Sequence, residues 1–145
     1  MIYSLVPSDD PLLHKRVEKC SYNLNRVKLS DDLHENMLHY DGVGLSANQI
    51  GIDERVFIMV IDVETQRTIT CFNPKILKIS NKLVKMEEGC LSFPKTFIDV
   101  DRPSHVVMKY EDEWKNTHKL RLEGFIARIF LHEYDHMEGI VFTSL

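Results

Sequence analysis

The segment His132-Glu133-Tyr134-Asp135-His136 constrains this chain more than any other part of it. It closes a run, Gly124 to Met137, in which apolar or histidine residues recur at nearly every helical turn, and Gly139 stands where a glycine ends such a helix. Residues four apart on a helix share a face, so both imidazoles point at one place while Glu133 reaches a water held there. The spacing therefore predicts a metal centre and a fold that brings a further ligand to this helix face from elsewhere. The competing interpretation is a buried helix whose histidines are satisfied by their neighbours.

Phe125, Ile129, His132 and His136 follow spacings of four, three and four, which places a hydrophobic pocket beside the ion. Ile126, Phe130, Glu133 and Met137 form the adjacent strip, and a helix apolar on two sides is buried, which removes bulk water from Glu133. Two histidines need a third protein ligand for an open catalytic site. Thermolysin-like proteases draw it from well downstream, but nine residues follow His136. The metzincin pattern continues through a glycine, here Gly139, to a third histidine, where this chain has Phe142. The ligand is then expected upstream, among His14, His34, His39, His105, His118 and the three cysteines. Cys90 lies in Glu88-Gly89-Cys90-Leu91-Ser92, where Gly89 leaves the backbone accessible, and its thiolate would complete a Cys-His-His set. Cys20 and Cys71 read as small buried hydrophobes.

The remaining sequence bounds the fold. A chain of 145 residues closes around one core, and 43% hydrophobic with 28% charged residues predicts a single globular catalytic domain over 1–145. The net charge of -4, with Lys and Arg scattered, gives no field for a nucleic acid. The longest apolar stretches, 56–61 and 125–131, are too short to span a bilayer, and the N-terminus lacks a leader pattern. An odd cysteine count points to the cytosol. A helix is predicted near 24–40, with Ser30-Asp31-Asp32 as a helix-entry signal, and residues 42–51 form a glycine-rich structured loop with one turn of helix. Strands are predicted over 55–62, 69–72, 76–79, 84–86, 98–100, 106–111 and 118–122, with Pro74, Pro94 and Pro103 between strands. This order predicts an α+β fold, mostly antiparallel sheets around a central C-terminal helix.

Three segments resemble, in order, the signature motifs of peptide deformylases: Gly42-Val43-Gly44-Leu45-Ser46-Ala47-Asn48-Gln49, Glu88-Gly89-Cys90-Leu91-Ser92 and His132-Glu133-Tyr134-Asp135-His136. The similarity extends over nearly the whole chain. It implies a metal hydrolase that removes the formyl group from N-formylmethionyl nascent polypeptides. By position, Cys90, His132 and His136 would bind one divalent ion, Fe(II) natively with Zn, Ni or Co possible. Glu133 would be the general acid/base, and Gln49 with the backbone N–H of Leu91 would hold the formyl oxygen. Val43, Met86, Phe125 and Ile129 are expected to line the methionine pocket, with Gly44 and Gly89 beside the substrate.

Ser46 replaces a small alanine of the family pattern and needs a hydrogen-bond partner if buried. Leu131 stands where many members have Gln. The end at Leu145 resembles short forms encoded by some bacteriophages, which puts ribosome docking in doubt and sets the expected location as bacterial or infected-host cytosol. A monomer is expected, with no nucleic-acid or membrane partner. Two other readings are a catalytically silent, metal-stabilised domain that binds N-termini and an amidohydrolase for another small acyl group.

Overall fold

The computed structural model describes residues 1–145 as α1 (Arg26–His39), β1 (Gly44–Ser46), β2 (Val56–Asp62), β3 (Arg67–Ile79), β4 (Leu83–Cys90), β5 (Phe93–Pro103), β6 (His105–Glu111), β7 (Thr117–Glu123) and α2 (Gly124–Met137). Short 3-10 turns at Pro11–His14, Ala47–Ile50 and Phe142–Ser144 complete it. All strand pairs are antiparallel; one sheet has the order β1-β2-β3-β6-β7, and β4 pairs with β5 alone. No helix is long and apolar enough to cross a membrane.

The unbroken apolar run of β2 has a direct cause: a helix covers each face of the strand. Phe57 and Met59 pack with Ala127, Ile129 and Phe130 of α2, whereas Val56, Ile58 and Val60 pack with Leu29, Leu33 and Met37 of α1. The predicted α+β architecture with antiparallel sheet around the last helix is the one observed, and α2 has the predicted bounds.

Several local expectations need correction. α1 starts earlier than Ser30: Asn25 is its cap, accepting from the Lys28 N–H at 3.1 Å, and Ser30 lies inside the helix with Oγ 2.7 Å from Thr70 Oγ1 of β3. The strands predicted at 69–72 and 76–79 are one strand, β3, because Pro74 falls at a break in register between Phe72 and Lys75 where no ladder N–H is needed. Pro94 and Pro103 likewise sit within β5, at its ends. The segments at 84–86 and 98–100 are the middles of much longer strands, β4 and β5. The glycine-rich loop contributes an edge strand, β1, before its predicted helical turn.

Gly139 ends α2 in the left-handed region, φ 73°, and the N-terminal segment crosses directly over it. A Cβ there would lie 2.5 Å from the Lys15 carbonyl carbon and 2.7 Å from Lys15 N. Gly139→Ala therefore adds left-handed strain to a backbone collision and is expected to lower Tm by about 5 °C or more. Thermal unfolding followed by circular dichroism checks this; an unchanged midpoint would show that the crossing yields at no cost.

Candidate active site

Two separate elements supply the donor atoms. His132 and His136 project from one face of α2, their ring centroids 5.1 Å apart, and Cys90 ends β4. Cys90 Sγ lies 3.5 Å from His136 Nε2, and the ligand atoms of Cys90, His132 and His136 all fall within 4.8 Å of one another. Two ligands on a tetrahedral ion, with bonds of about 2.3 Å to sulfur and about 2.1 Å to nitrogen, sit at about that S···N separation. One sulfur and two imidazoles therefore fit a divalent transition ion. None of the other upstream histidines or cysteines joins this group. Phe142, at the metzincin third-histidine position, instead packs its ring 5.7 Å from that of His132.

Around these donors the polar atoms are held in defined orientations. His132 Nδ1 bonds Glu88 Oε1 at 3.0 Å, which leaves Nε2 for the ion. Buried Ser46 finds partners: its N–H donates to Gln49 Oε1 at 3.0 Å, and its hydroxyl donates to Asn48 Oδ1 at 2.6 Å. Asn48 in turn donates to the His136 carbonyl at 2.9 Å, tying this loop to α2. With Oε1 occupied, the Gln49 amide nitrogen faces the other way, 3.0 Å from Ser92 Oγ and 3.6 Å from Cys90 Sγ. Gly44 allows Glu133 in: a Cβ there would lie 2.7 Å from Glu133 Oε2. The glycine serves close approach of the carboxylate, since its φ is not positive.

Two buried side-chain polar atoms lack a hydrogen-bond partner, Glu133 Oε1 and His136 Nδ1, both within this one turn of α2. Burial pushes the Glu133 carboxyl up to about 7, with the charges of His132 and Arg102 pulling the other way. Burial also raises the opposing Glu88 carboxyl, yet hydrogen bonds from His132 and Arg102 prevail and hold it at about 2. Burial disfavours a charged His132, but its bonds to Cys90 and Glu88 prevail and raise it to about 10, whereas burial lowers His136 well below its usual range.

A family model described as polypeptide deformylase matches residues 2–144. The chain belongs to that family. A peptide deformylase of Thermotoga maritima is 37% identical over 141 residues, covering 97% of this chain and 84% of that one. Peptide deformylase 1 of Bacillus cereus is 39% identical over 124 residues, 86% of this chain and 78% of its own length. The crystal structure of the T. maritima protein superposes with a TM-score of 0.91 at 36% identity, covering 99% of this chain and 97% of that one. A Met-Ala-Ser-bound class I type b deformylase of Acinetobacter baumannii gives 0.90 at 30% identity, covering 99% and 98%. The chain is thus a deformylase, a metal-dependent hydrolase that removes N-formyl groups from nascent peptides.

The deformylase cleft, about 490 Å³, opens beside the donors. Val43, Gly44, Gln49, Gly89, Cys90, Leu91, Phe125, Ile129, His132 and Glu133 all line it. Met86 does not. It shares a strand face with Glu88, but the strand carries it past Arg128 into a separate cavity of about 320 Å³ with Val84, Ser104 and Gly124. Phe97 takes part instead: it pairs with Gly89 across the hairpin, and its ring lies so close that a Cβ on residue 89 would be 2.6 Å away. Sequence reasoning also missed Glu88, Arg102, Arg128 and Ser92. Only Arg128 left a signal, as a charge four residues before His132 inside an apolar strip.

Proposed function

We propose that Cys90, His132 and His136 hold one divalent ion and that Glu133 is the general acid/base in hydrolysis of N-formylmethionyl peptides. The reading is carried by the convergence of these three donors, two of which, Cys90 and His132, line one cleft together with Glu133, whose Oε1 is unpartnered. Such an ion, when bound, acidifies water and draws charge from a carbonyl oxygen. Fe(II) is the proposed native ion; thiolate and imidazole equally suit Zn, Ni or Co.

Glu133 accepts the proton of the attacking water and returns it to the amine as the C–N bond breaks, releasing formate and a free N-terminus. Gln49 Nε2, its amide oriented by Ser46, and the Leu91 N–H donate to the formyl oxygen as charge builds there. Val43, Phe125 and Ile129 cover the first side chain, with Phe97 across the mouth. Burial of an unbranched methionine there contributes about 2 kcal/mol over alanine.

Anaerobically purified protein with its metal quantified should release formate from formyl-Met-Ala-Ser and leave acetyl-Met-Ala-Ser intact. No formate from metal-replete protein would overturn the reading. Within the formyl series, norleucine should approach methionine, alanine should fall by about tenfold or more in kcat/KM, and aspartate further. Equal rates across the four would refute the pocket.

A further inference from the structure

The sheet that carries Cys90 shares no ladder with the five-stranded sheet, so strand pairing does not set its position relative to α2. Side-chain bonds do, and most of those that reach the hairpin from α2 come from one buried cation. Arg128 lies one turn before His132 and is 5% exposed. From Nη1 it donates to the Val100 carbonyl at 3.0 Å and to Glu88 Oε2, and from Nη2 to the Val84 carbonyl at 2.6 Å. A single guanidinium of the helix thereby grips the backbone of both hairpin strands and the carboxylate between them. Arg102, itself on the hairpin, completes the set, with Nε 2.6 Å from Glu88 Oε2 and Nη2 2.9 Å from Oε1. Its Nη1 crosses to Asp135 at 2.8 Å. With His132 Nδ1, Glu88 accepts four N–H bonds, which leaves that carboxylate no freedom to turn.

We infer that Arg128 is a positioning residue: it fastens the hairpin bearing Cys90 to the helix bearing His132 and His136, so that the three donors are gathered before an ion arrives. The inference rests on the proposal that these three residues bind the ion. A leucine at this position would continue the strip of Phe125 and Ile129 without any cost of burying charge, so what the arginine adds is orientation. Arg128 reaches these three acceptors from two nitrogens, whereas the donors of a lysine radiate from a single nitrogen with no planar fork.

Two measurements test this, neither using turnover. Hydrogen exchange on metal-free wild-type protein should find the amides of β4 and β5 protected nearly as well as in cobalt(II)-loaded protein. A hairpin protected only when cobalt is present would overturn the inference. Cobalt-loaded Arg128→Met, kept at a temperature where circular dichroism shows it folded, should surrender its ion to a chelator about tenfold faster than wild type, with a weakened thiolate-to-cobalt absorption. Arg128→Lys should fall between. Release from folded Arg128→Met at the wild-type rate would also overturn it, and if that variant does not fold, the wild-type exchange experiment decides alone. Failure here leaves formate release intact, whereas a wild-type protein that takes up no cobalt would sink the metal site itself.

Discussion

Glu133→Gln should lower formate release by about 10²- to 10⁴-fold while the ion stays bound. The amide matches the carboxylate in size, so it fits beside Gly44, where the nearest approach leaves no room for a larger group. What it loses is the ability to take a proton. Burial lifts the Glu133 carboxyl to about 7, close to working pH, which is where one group can accept a proton from water and deliver it to an amine within the same turnover. Its Oε1 is also free to do so, being buried and bonded to nothing in the protein. Metal content measured beside the rate separates the two roles open to this side chain. Unchanged turnover would remove the acid/base assignment, and loss of the ion along with the carboxylate would make Glu133 a ligand.

The parts of this fold that sequence reveals are those where burial is one-sided and the period is clean. α2 could be delimited to the residue because its apolar positions repeat at helical spacing and Gly139 must adopt a left-handed conformation to end it. α1 was harder at its start, since Ser30-Asp31-Asp32 has the composition of a cap while Ser30 in fact binds Thr70 across the helix–sheet interface. The β4–β5 hairpin was visible only as two short fragments. Its strands carry Glu87, Glu88, Asp99, Asp101 and Arg102, and of the charges that break the apolar pattern, Glu88, braced by Arg102, is the one that holds His132, a proposed ligand, in place. The proposed ligands were readable as a candidate group because chemistry restricts their identity and spacing, and the structure gathers them. Their supports were not, because Glu88 meets Arg102 and Arg128 only after the chain has folded. Met86 was misplaced for a related reason: proximity to a motif in sequence says nothing about which side of Arg128 a strand residue falls.

Cys90→Ala should cost the protein its ion and, with it, all but a trace of activity. Of the three donors, the sulfur alone comes from outside α2, so its removal leaves two imidazoles from one helix turn and nothing opposite them. Bound zinc in Cys/His sites is worth roughly 10–16 kcal/mol spread over its ligands, so one missing ligand weakens affinity by about 10³-fold or more. The fold should survive. Cys90 sits at the cleft rather than in either apolar cluster, and Gln49 keeps its bond to Ser92. Cys90→Ser retains size, but its hydroxyl does not ionise near neutrality, so it too should bind weakly. The two other cysteines supply the contrast. Burial pushes the Cys20 thiol up to about 11, with Glu54 adding to the effect, and burial lifts fully enclosed Cys71 well above the usual range. Neither offers a thiolate, so Cys20→Ala and Cys71→Ala should keep a full complement of metal, and Cys71→Ala should lower stability by leaving space between β3 and α2. Metal analysis of the three variants after identical anaerobic purification makes the comparison. A full equivalent of ion in Cys90→Ala would mean that the third ligand lies elsewhere and that the cleft beside α2 is built around a different centre.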